Sequence, residues 1–527
     1  MKKIFHVLTT LAITIHFLSC KKFLEETPKS SQPADAYYQT IEQVQTAVNY
    51  LYGTGTGPGN FYAIGGLYDG NRAFMLDNMS GLANNVVAQN AGIRAFAALG
   101  QTPENAGNVV GGIWSSFYSN IASANTVIAK IAGNKNLDPA TVAPLLATAK
   151  FYRAIDYYYL VRLFGPVPLI LKPYTSVADV YSSRTGIDSV YKAIVSDLTD
   201  AYTNGGLADK PMGSNGNQIS KGTVGAVLSE VYLTMAGYPL AGGATYYQKA
   251  FDLAKEILAS SGGYALFNNS GSTAFDKLRN TANDKGSEYP YFIEADASIR
   301  ASALPQYSLP NVFPQAVPDS KLTVKYTLLT QAWTPTPTLL NLYDSVNDIR
   351  RHEKQLFSTS FDYTTTTGTA ATIRFPYYMP YRWFDSTAIF STAASSKYTT
   401  VYRLADVYLV AAEAANELGQ DPTPYLQPIL ARAYVIVPPV ATGQTARRNQ
   451  VLAERFRELA MEGHFWFDML RTRLYPDADA LHQVTFSALV GHSNGRGQTY
   501  ANKDLLLPLP PTEIQRNPSL GGQNPGY

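Results

Sequence analysis

The chain has 527 residues, with 42 basic and 40 acidic side chains and a formal net charge of +2 at neutral pH. This balance excludes the basic surface on which nucleic-acid binding depends, and it leaves no polybasic patch for anionic lipids. Charged residues make up 16% of the chain, whereas there are 37 tyrosines. Tyrosine has a flat apolar face and a polar hydroxyl, so it suits both helix packing and sugar-binding surfaces.

The N-terminus has the order of a secretory signal. Two lysines precede an apolar run over 4–18, and the small residue Ser19 and the single cysteine, Cys20, follow it. At about 15 residues the run is too short for a bilayer-spanning helix, which needs roughly 20. The order resembles a bacterial lipoprotein signal, although Phe17 stands where leucine is usual. We therefore expect a lipid on Cys20; the alternative is an ordinary signal peptide with an incidental cysteine.

Helical periodicity dominates the rest of the chain. Apolar residues recur every three or four positions, which indicates helices with one buried face. Eight stretches have this pattern, at 41–52, 113–131, 142–164, 187–202, 222–237, 245–260, 402–419 and 447–470. Their succession, with small residues at the crossings, is similar to tetratricopeptide-type hairpins, and an undifferentiated helical bundle is the alternative.

The stretch from about 262 to 400 differs in composition from the rest. It is rich in Ser, Thr, Pro, Gly and aromatic residues and has few helical runs. We predict a mostly α fold, in which a helical-hairpin scaffold (37–261 and 401–527) carries this loop-rich, aromatic-rich subregion with short strands. Ligand contacts concentrate on loops held by a rigid scaffold. The predicted organisation is a signal peptide at 1–19, a polar tether at 20–36 and a single domain at 37–527.

Two motifs that look functional lack the context they need. Residues 491–495 match the G-x-S-x-G pattern of hydrolases, which requires a following helix and a later histidine. No helix start follows, and His492 is the last histidine of the chain. The glycine-rich segment 53–57 lacks the Lys-Ser/Thr of a phosphate-binding loop.

A third pattern has glutamates at every fourth position. Glu454, Glu458 and Glu462 lie close to His464. A zinc-binding helix would need two histidines one turn apart, and this segment has one. Because arginines are interspersed, we interpret the glutamates as one side of an ion-paired helix.

Three helical segments carry a recognisable set of motifs in order. The chain reads KFYRAIDYYYLVRLFGPVP at 150–168, YRLADVYLVAAEA at 402–414 and ERFRELAMEGHFWFDMLR at 454–471. Together with the Pro-rich tail at 507–527, these motifs resemble the SusD/RagB family of outer-membrane nutrient-binding lipoproteins. The resemblance runs from the cysteine to the last residue, with His464 as a departure where the family often has arginine.

The resemblance implies a lipoprotein of the outer membrane of Bacteroidetes-type bacteria, lipid-anchored and facing the cell exterior. It implies a partner, a SusC-like TonB-dependent barrel, over which the protein closes as a lid while it holds an oligosaccharide for import. It implies no catalysis and no cofactor beyond the covalent lipid on Cys20, and nothing in the sequence indicates bound calcium. The alternatives are a peptide-binding member of the family, a surface glycoside hydrolase and a scaffold that binds only proteins.

Sugar binding requires exposed aromatic planes beside amide, carboxylate or guanidinium groups. Such side chains occur in the glycine-rich segment 60–96 and in the loop-rich part, where packing between loops is the alternative role for each. The candidate ligand-binding residues are Tyr62, Tyr68, Asn71, Arg72, Asp77, Asn78, Tyr307, Trp333 and Trp383. We interpret the motif residues Arg403, Glu458 and Asp468 as determinants of the fold.

Overall fold

The computed structural model describes residues 37–53, 67–68, 75–85, 91–176, 180–267, 274–309, 333–479 and 481–527. Its α-helices are α1 (Ile41–Leu51), α2 (Met75–Met79), α3 (Ala91–Ala97), α4 (Pro103–Ile131), α5 (Pro139–Phe164), α6 (Ile187–Asn204), α7 (Lys221–Ala236), α8 (Ala244–Leu258), α9 (Ala274–Leu278), α10 (Pro337–Asn341), α11 (Leu404–Glu417), α12 (Thr423–Ala433), α13 (Gln444–Glu458), α14 (Phe465–Thr472) and α15 (Pro511–Arg516). Its strands are β1 (Ala83–Asn85), β2 (Tyr291–Ile293), β3 (Trp333–Pro335), β4 (Ser358–Thr364), β5 (Ala370–Met379), β6 (Thr399–Tyr402), β7 (Leu474–Ala478) and β8 (Val484–Ala488).

Local signals in the sequence define the ends of the two longest helices. α4 begins after Thr102, whose hydroxyl accepts the backbone N–H of Asn105, and Pro103 occupies its first turn. Asp138 caps α5 in the same way, and α5 ends at Gly165, which has a φ of 72°. Glycine adopts this left-handed conformation without steric cost, so it terminates the helix cleanly.

The helices pack mainly against their neighbours in sequence. α4 contacts α5, α5 contacts α6, α7 contacts α8, and α11 packs on both α8 and α13. α5 and α7 are buried on almost every side, whereas α6 and α8 each bury one apolar face. This succession of paired helices confirms the predicted mostly α fold with a helical-hairpin scaffold.

One predicted helix is wrong in its extent. The stretch 447–470 is not a single helix, because α13 ends at Glu458 and α14 begins at Phe465. Between them Met461 and Gly463 have φ values of 59° and 84°, which a right-handed helix does not contain. The helix predicted at 113–131 also begins earlier, at Pro103, and α12 had no counterpart among the predicted helices.

The strands form four two-stranded antiparallel sheets in the described residues. β1 pairs with β3, β2 with β6, β4 with β5, and β7 with β8. Five of these strands begin between 291 and 399, as the composition of the loop-rich part predicts. The β4–β5 hairpin covers a small apolar cluster of its own, in which the rings of Tyr381 and Phe384 stack with centroids 5.1 Å apart.

A buried network of ion pairs joins the loop-rich part to the helices. Its members, here called the arginine network, are Arg350, Arg403, Arg432, Glu288, Asp348, Glu454, Glu458 and Glu462. Arg403 contacts Glu458 and Glu462, each at 2.8 Å. Glu288 lies between two arginines, 2.7 Å from Arg403 and 2.6 Å from Arg432. All eight side chains are buried, and most of the ion pairs join residues that are far apart in sequence; the exception is Arg350 with Asp348, two residues away.

A second buried cluster lies beside the first. Arg471 pairs with Glu413 and, at 2.7 Å, with Asp468, and Arg455 lies 3.1 Å from the same aspartate. These two arginines lower the pKa of Asp468 to about 2. The motif residues therefore lie in the core, as expected for determinants of the fold.

Candidate ligand-binding cleft

The predicted ligand-binding residues fall into two groups. Cys20, Tyr62, Asn71 and Arg72 lie outside the described residues. The other candidates are described, and all of them are buried except Tyr68, which is half-buried; they are Tyr68, Asp77, Asn78, Tyr307, Trp333 and Trp383.

The aromatic candidates contribute to packing. Trp333, in β3, is 2% exposed, and Tyr307 is 4% exposed. Trp383 is also 2% exposed, and its indole N–H donates to the backbone oxygen of Met461 at 3.1 Å. With so little of each ring exposed, the structure favours the packing role over stacking on a sugar for these three residues.

The polar candidates are buried as well. Asp77 and Asn78 lie in α2 and are fully buried, and their side chains form no hydrogen bond with the described residues. Burial raises the pKa of Asp77 well above its ordinary value. Tyr68 is half-buried, with its hydroxyl oxygen 3.1 Å from that of Tyr159.

An open cleft of about 440 Å³ lies where α1, α5 and β2 meet. Its volume falls within the range of small-molecule sites in proteins. The residues that line it are Asn49, Leu51, Tyr52, Tyr152, Met212, Gly216, Asn217, Gln218, Tyr291, Phe292, Ile293, Glu294 and Arg300. Apolar and aromatic residues form its floor, and polar residues form its rim.

The floor is built on two tyrosines. Tyr52 follows the last residue of α1, and its ring packs edge-on against Tyr152 of α5, with centroids 5.0 Å apart. The hydroxyl of Tyr52 accepts the backbone N–H of Ile219 at 2.9 Å, which fixes the orientation of the ring. Burial raises the pKa of Tyr52 to about 12, so its hydroxyl stays neutral at physiological pH.

The rim is centred on the carboxylate of Glu294. Its Oε1 accepts a hydrogen bond from the side-chain amide of Asn217 at 2.8 Å and from the hydroxyl of Tyr398 at 3.0 Å. Asn217 has a φ of 61°, which asparagine tolerates better than most residues. Glu294 is exposed, and its Oε2 has no hydrogen-bond partner within the described chain. One carboxylate oxygen is thus oriented by the protein while the other remains open to a ligand.

Two further side chains complete the rim. The guanidinium of Arg300 donates to the backbone oxygens of Gly53 and, at 2.8 Å, of Glu294, so it ties the end of α1 to the chain after β2. The side chain of Gln218 is exposed. Desolvation and the charge of Glu294 raise the pKa of Tyr398 to about 12, which keeps this hydroxyl protonated as a donor.

The cleft has the chemistry of a binding site for a hydroxyl-rich molecule. A carboxylate, amides and a guanidinium can satisfy hydroxyl groups, and the aromatic floor can contact an apolar ring face. Glycoside hydrolysis by the usual mechanism needs two carboxylates. Of the described residues that line the cleft, Glu294 is the one acid.

The sequence does not predict this cleft. Its key residues lie on four separate segments, and spacing along the chain cannot bring Tyr52, Asn217 and Glu294 together. The one local signal was the glycine- and asparagine-rich turn at 213–217, which indicates backbone in the left-handed region.

The described residues contain neither a metal-binding cluster nor a helix suited to crossing a bilayer. No His, Cys, Asp and Glu side chains converge there in groups of three or more that could hold a metal ion. Among the described helices, none combines the length and the hydropathy that crossing a bilayer requires.

Comparison with known proteins gives matches along the whole chain. Residues 330–527 match a sequence model described as the SusD family, and residues 22–233 match one described as starch-binding associating with outer membrane. A SusD-like protein of Formosa agariphila, P2, is 26% identical over 557 aligned residues that cover 100% of both chains.

Solved structures have the same fold. A SusD superfamily protein from Parabacteroides distasonis is 28% identical, with a TM-score of 0.79 over 92% of this chain and 99% of its own. A laminarin-binding SusD-like protein is 22% identical, with a TM-score of 0.69 over 92% of this chain and 99% of its own. With sequence models that match both parts of the chain, a relative along its full length and a shared fold, the chain belongs to the SusD family.

Proposed function

We propose that this protein captures an oligosaccharide at the outer surface of the cell and delivers it to a SusC-like TonB-dependent barrel, over which it acts as a lid. Membership of the SusD family is the observation that carries the proposal. The description of one matching family model, starch-binding associating with outer membrane, supports both the ligand class and the location. The lipid on Cys20 would hold the protein at that membrane.

The cleft supports an oligosaccharide as the ligand. Its volume of about 440 Å³ accommodates one or two sugar units. In this proposal the open oxygen of Glu294 and the amide of Gln218 bind hydroxyl groups, and the ring of Tyr52 contacts the apolar face of a sugar. Asn217 and Tyr398 act as positioning residues, because they hold the other carboxylate oxygen.

The proposal of a barrel partner rests on the family and on the type of scaffold. Stacked helical hairpins offer extended faces on which another protein can dock. Capture without turnover follows from the same proposal, because a delivery protein must release its ligand unchanged.

Calorimetric titration tests the ligand class. The protein, purified in detergent, is titrated with neutral oligosaccharides and with mixed oligopeptides, and the products are analysed for cleavage. We expect saturable binding of an oligosaccharide without cleavage. Binding of peptides alone would favour the peptide-binding alternative, and release of reducing sugar would favour a hydrolase.

A matched pair of variants tests the site. Glu294→Gln removes the charge and keeps the shape, and loss of a hydrogen bond to a charged group weakens binding by roughly tenfold or more. Glu513→Gln is the control, because Glu513 pairs with the exposed Arg516 outside the cleft. Equal affinity of the two variants would exclude the cleft as the binding site.

Copurification tests the partner. The protein is solubilised in mild detergent and captured with a specific antibody. We expect a TonB-dependent barrel to copurify with it in stoichiometric amount. Absence of any barrel under conditions that preserve other outer-membrane complexes would contradict the proposed lid role.

A further inference from the structure

A second cavity, of about 190 Å³, lies between the end of α5, the end of α14 and the segment 502–506. It shares no lining residue with the cleft. Aromatic residues form part of its wall, among them Tyr191, Tyr238 and Phe467. Since a water molecule occupies about 30 Å³, the space corresponds to roughly six waters.

The charged residues around this cavity all have the same sign. Arg162, Arg471, Arg473 and Lys503 line it, and none of the described lining residues is acidic. Two of these cations are neutralised from outside the cavity. Arg471 pairs with Glu413 and Asp468, and Lys503 lies 2.7 Å from Asp504.

Arg162 has no carboxylate partner among the described residues. Its guanidinium carbon lies 3.6 Å from the ring centroid of Tyr158 and 3.7 Å from that of Phe467, so the group is held between two aromatic rings. Nε donates to the backbone oxygen of Tyr158 at 3.1 Å. Nη2 is buried and has no acceptor.

Arg473 is the second unpaired cation. Its guanidinium lies over the ring of Tyr238, 5.3 Å from the centroid, and donates to no acceptor within the described chain. Half-burial lowers the pKa of Arg473 relative to its ordinary value, as expected for a cation that lacks a counter-charge.

Other buried arginines of the described core are paired with carboxylates. Arg350, Arg403 and Arg432 in the arginine network each contact at least two carboxylates, and so does Arg471. A buried charge is costly unless it is paired. Two arginines on one cavity that contact no carboxylate of the described residues therefore indicate a counter-charge supplied by a bound ligand.

We propose that this cavity binds an oxyanion, a carboxylate or a sulfate group, either free in solution or carried by an acidic sugar. The planar guanidinium of arginine suits such groups, because two N–H donors can face two oxygens. The space exceeds that of the anion alone, and the aromatic walls can contact a ring to which the anion is attached. The inference concerns a second site and does not depend on the oligosaccharide cleft.

The test uses three variants of the protein in detergent. Arg473→Met removes the half-buried cation, Arg473→Lys keeps the charge, and Arg516→Met is the control, because Arg516 is exposed and paired with Glu513. Each protein is titrated calorimetrically at low ionic strength with inorganic sulfate, glucuronate, glucose 6-sulfate and glucose.

We expect saturable binding of at least one anionic probe with one site per chain, and none of glucose at this site. Arg473→Met should weaken that binding by roughly tenfold or more, because a charge-assisted hydrogen bond is lost. Arg473→Lys should retain part of it, and Arg516→Met and Glu294→Gln should leave it unchanged.

The two sources of the anion give different patterns. Tighter binding of glucuronate or glucose 6-sulfate than of sulfate identifies a sugar-borne anion, and equal binding identifies the free ion. Failure of all anionic probes to bind, or equal binding by Arg473→Met and the control, would overturn the proposal. Neither result would bear on oligosaccharide capture in the cleft, which is read out with neutral sugars.

Discussion

Glu458 is the residue on which the arginine network most depends. Its Oε1 lies 2.8 Å from Arg403 and 2.6 Å from Arg432, and its Oε2 lies 3.2 Å from Arg350. These three guanidinium groups lower the pKa of Glu458 from 4.5 to about 2, although burial acts in the opposite direction. Replacement by glutamine keeps the volume and removes the one negative charge that the three arginines share.

The expected loss follows from the pKa. A decrease from 4.5 to about 2 corresponds to about 3 kcal/mol of free energy of unfolding, since one pKa unit is about 1.4 kcal/mol. Removing one partner of a buried ion pair generally costs about 3–5 kcal/mol, which agrees. We expect Glu458→Gln to lower the free energy of unfolding by about 3 kcal/mol at pH 7.

Urea denaturation followed by intrinsic fluorescence measures this loss. Glu513→Gln is the matched control, because its ion pair with Arg516 is on the surface, where such pairs contribute at most about 1 kcal/mol. The pKa of Glu458 is lowered by folding, so its contribution is complete above pH 4.5 and is lost as the pH falls towards 2. The free energies of unfolding of the wild-type protein and of Glu458→Gln should therefore converge between pH 4.5 and 2. A loss no larger than that of the control, or a difference that does not change between pH 4.5 and 2, would refute this reasoning.

Three further changes have defined outcomes. Cys20→Ala should release the protein from the membrane fraction on sedimentation, and retention there would contradict lipid anchoring. Gly463→Ala should destabilise the protein by more than about 1 kcal/mol, because a Cβ at this positive φ would lie 2.8 Å from the ring of Tyr68. Gly419→Ala is its control, since Gly419 also has a positive φ but no atom lies within 4 Å of the added Cβ; equal losses in urea denaturation would exclude the clash. Burial raises the pKa of Asp406 from 3.8 to about 7, so its contribution favours the folded state below pH 3.8 and is lost as the pH rises through 7. In Asp406→Asn this contribution to the fall in the free energy of unfolding between pH 3.8 and 7 should be absent. If the free energy falls as it does in the wild-type protein, another group causes the change.

The sequence predicted the central helices well. α6 and α8 lie close to the predicted stretches because each buries one apolar face, and α5 and α7 do so because they are apolar along most of their length and begin after the capping residues Asp138 and Ser220. The break between α13 and α14 was missed because periodicity continues across it. Backbone conformation at Met461 and Gly463, rather than side-chain polarity, ends the helix there.

The sequence predicts that these glutamates form ion pairs, but it does not predict most of their partners. Glu454 does pair with Arg457 one turn away, at 2.7 Å, as the helical spacing indicates. Glu458 and Glu462 instead contact arginines that are distant in sequence, and they are buried. Spacing within one helix reports on that helix alone, so a network with the loop-rich part could not be inferred from it.

The ligand-binding candidates illustrate a similar limit. Trp333 and Trp383 were selected because aromatic residues in loops can stack on sugars, but the same side chains fill gaps between loops. Composition cannot separate these roles, since both need a large flat ring. The cleft was missed for the opposite reason: Glu294 and Gln218 are ordinary exposed residues until the fold brings them beside Tyr52.

The arginine network also determines how the molecule can move. Glu288 and Arg350 come from the loop-rich part, and they pair with Arg403, Arg432, Glu454 and Glu458 of the C-terminal scaffold, so any flexing between these parts would separate several buried charges at once. Each separation would cost several kcal/mol, which thermal motion at physiological temperature does not supply. The described chain should therefore move as one rigid body rather than as two parts hinged against each other. If the protein acts as the proposed lid, the energy of opening would then depend on its contact with the barrel rather than on strain within the lid.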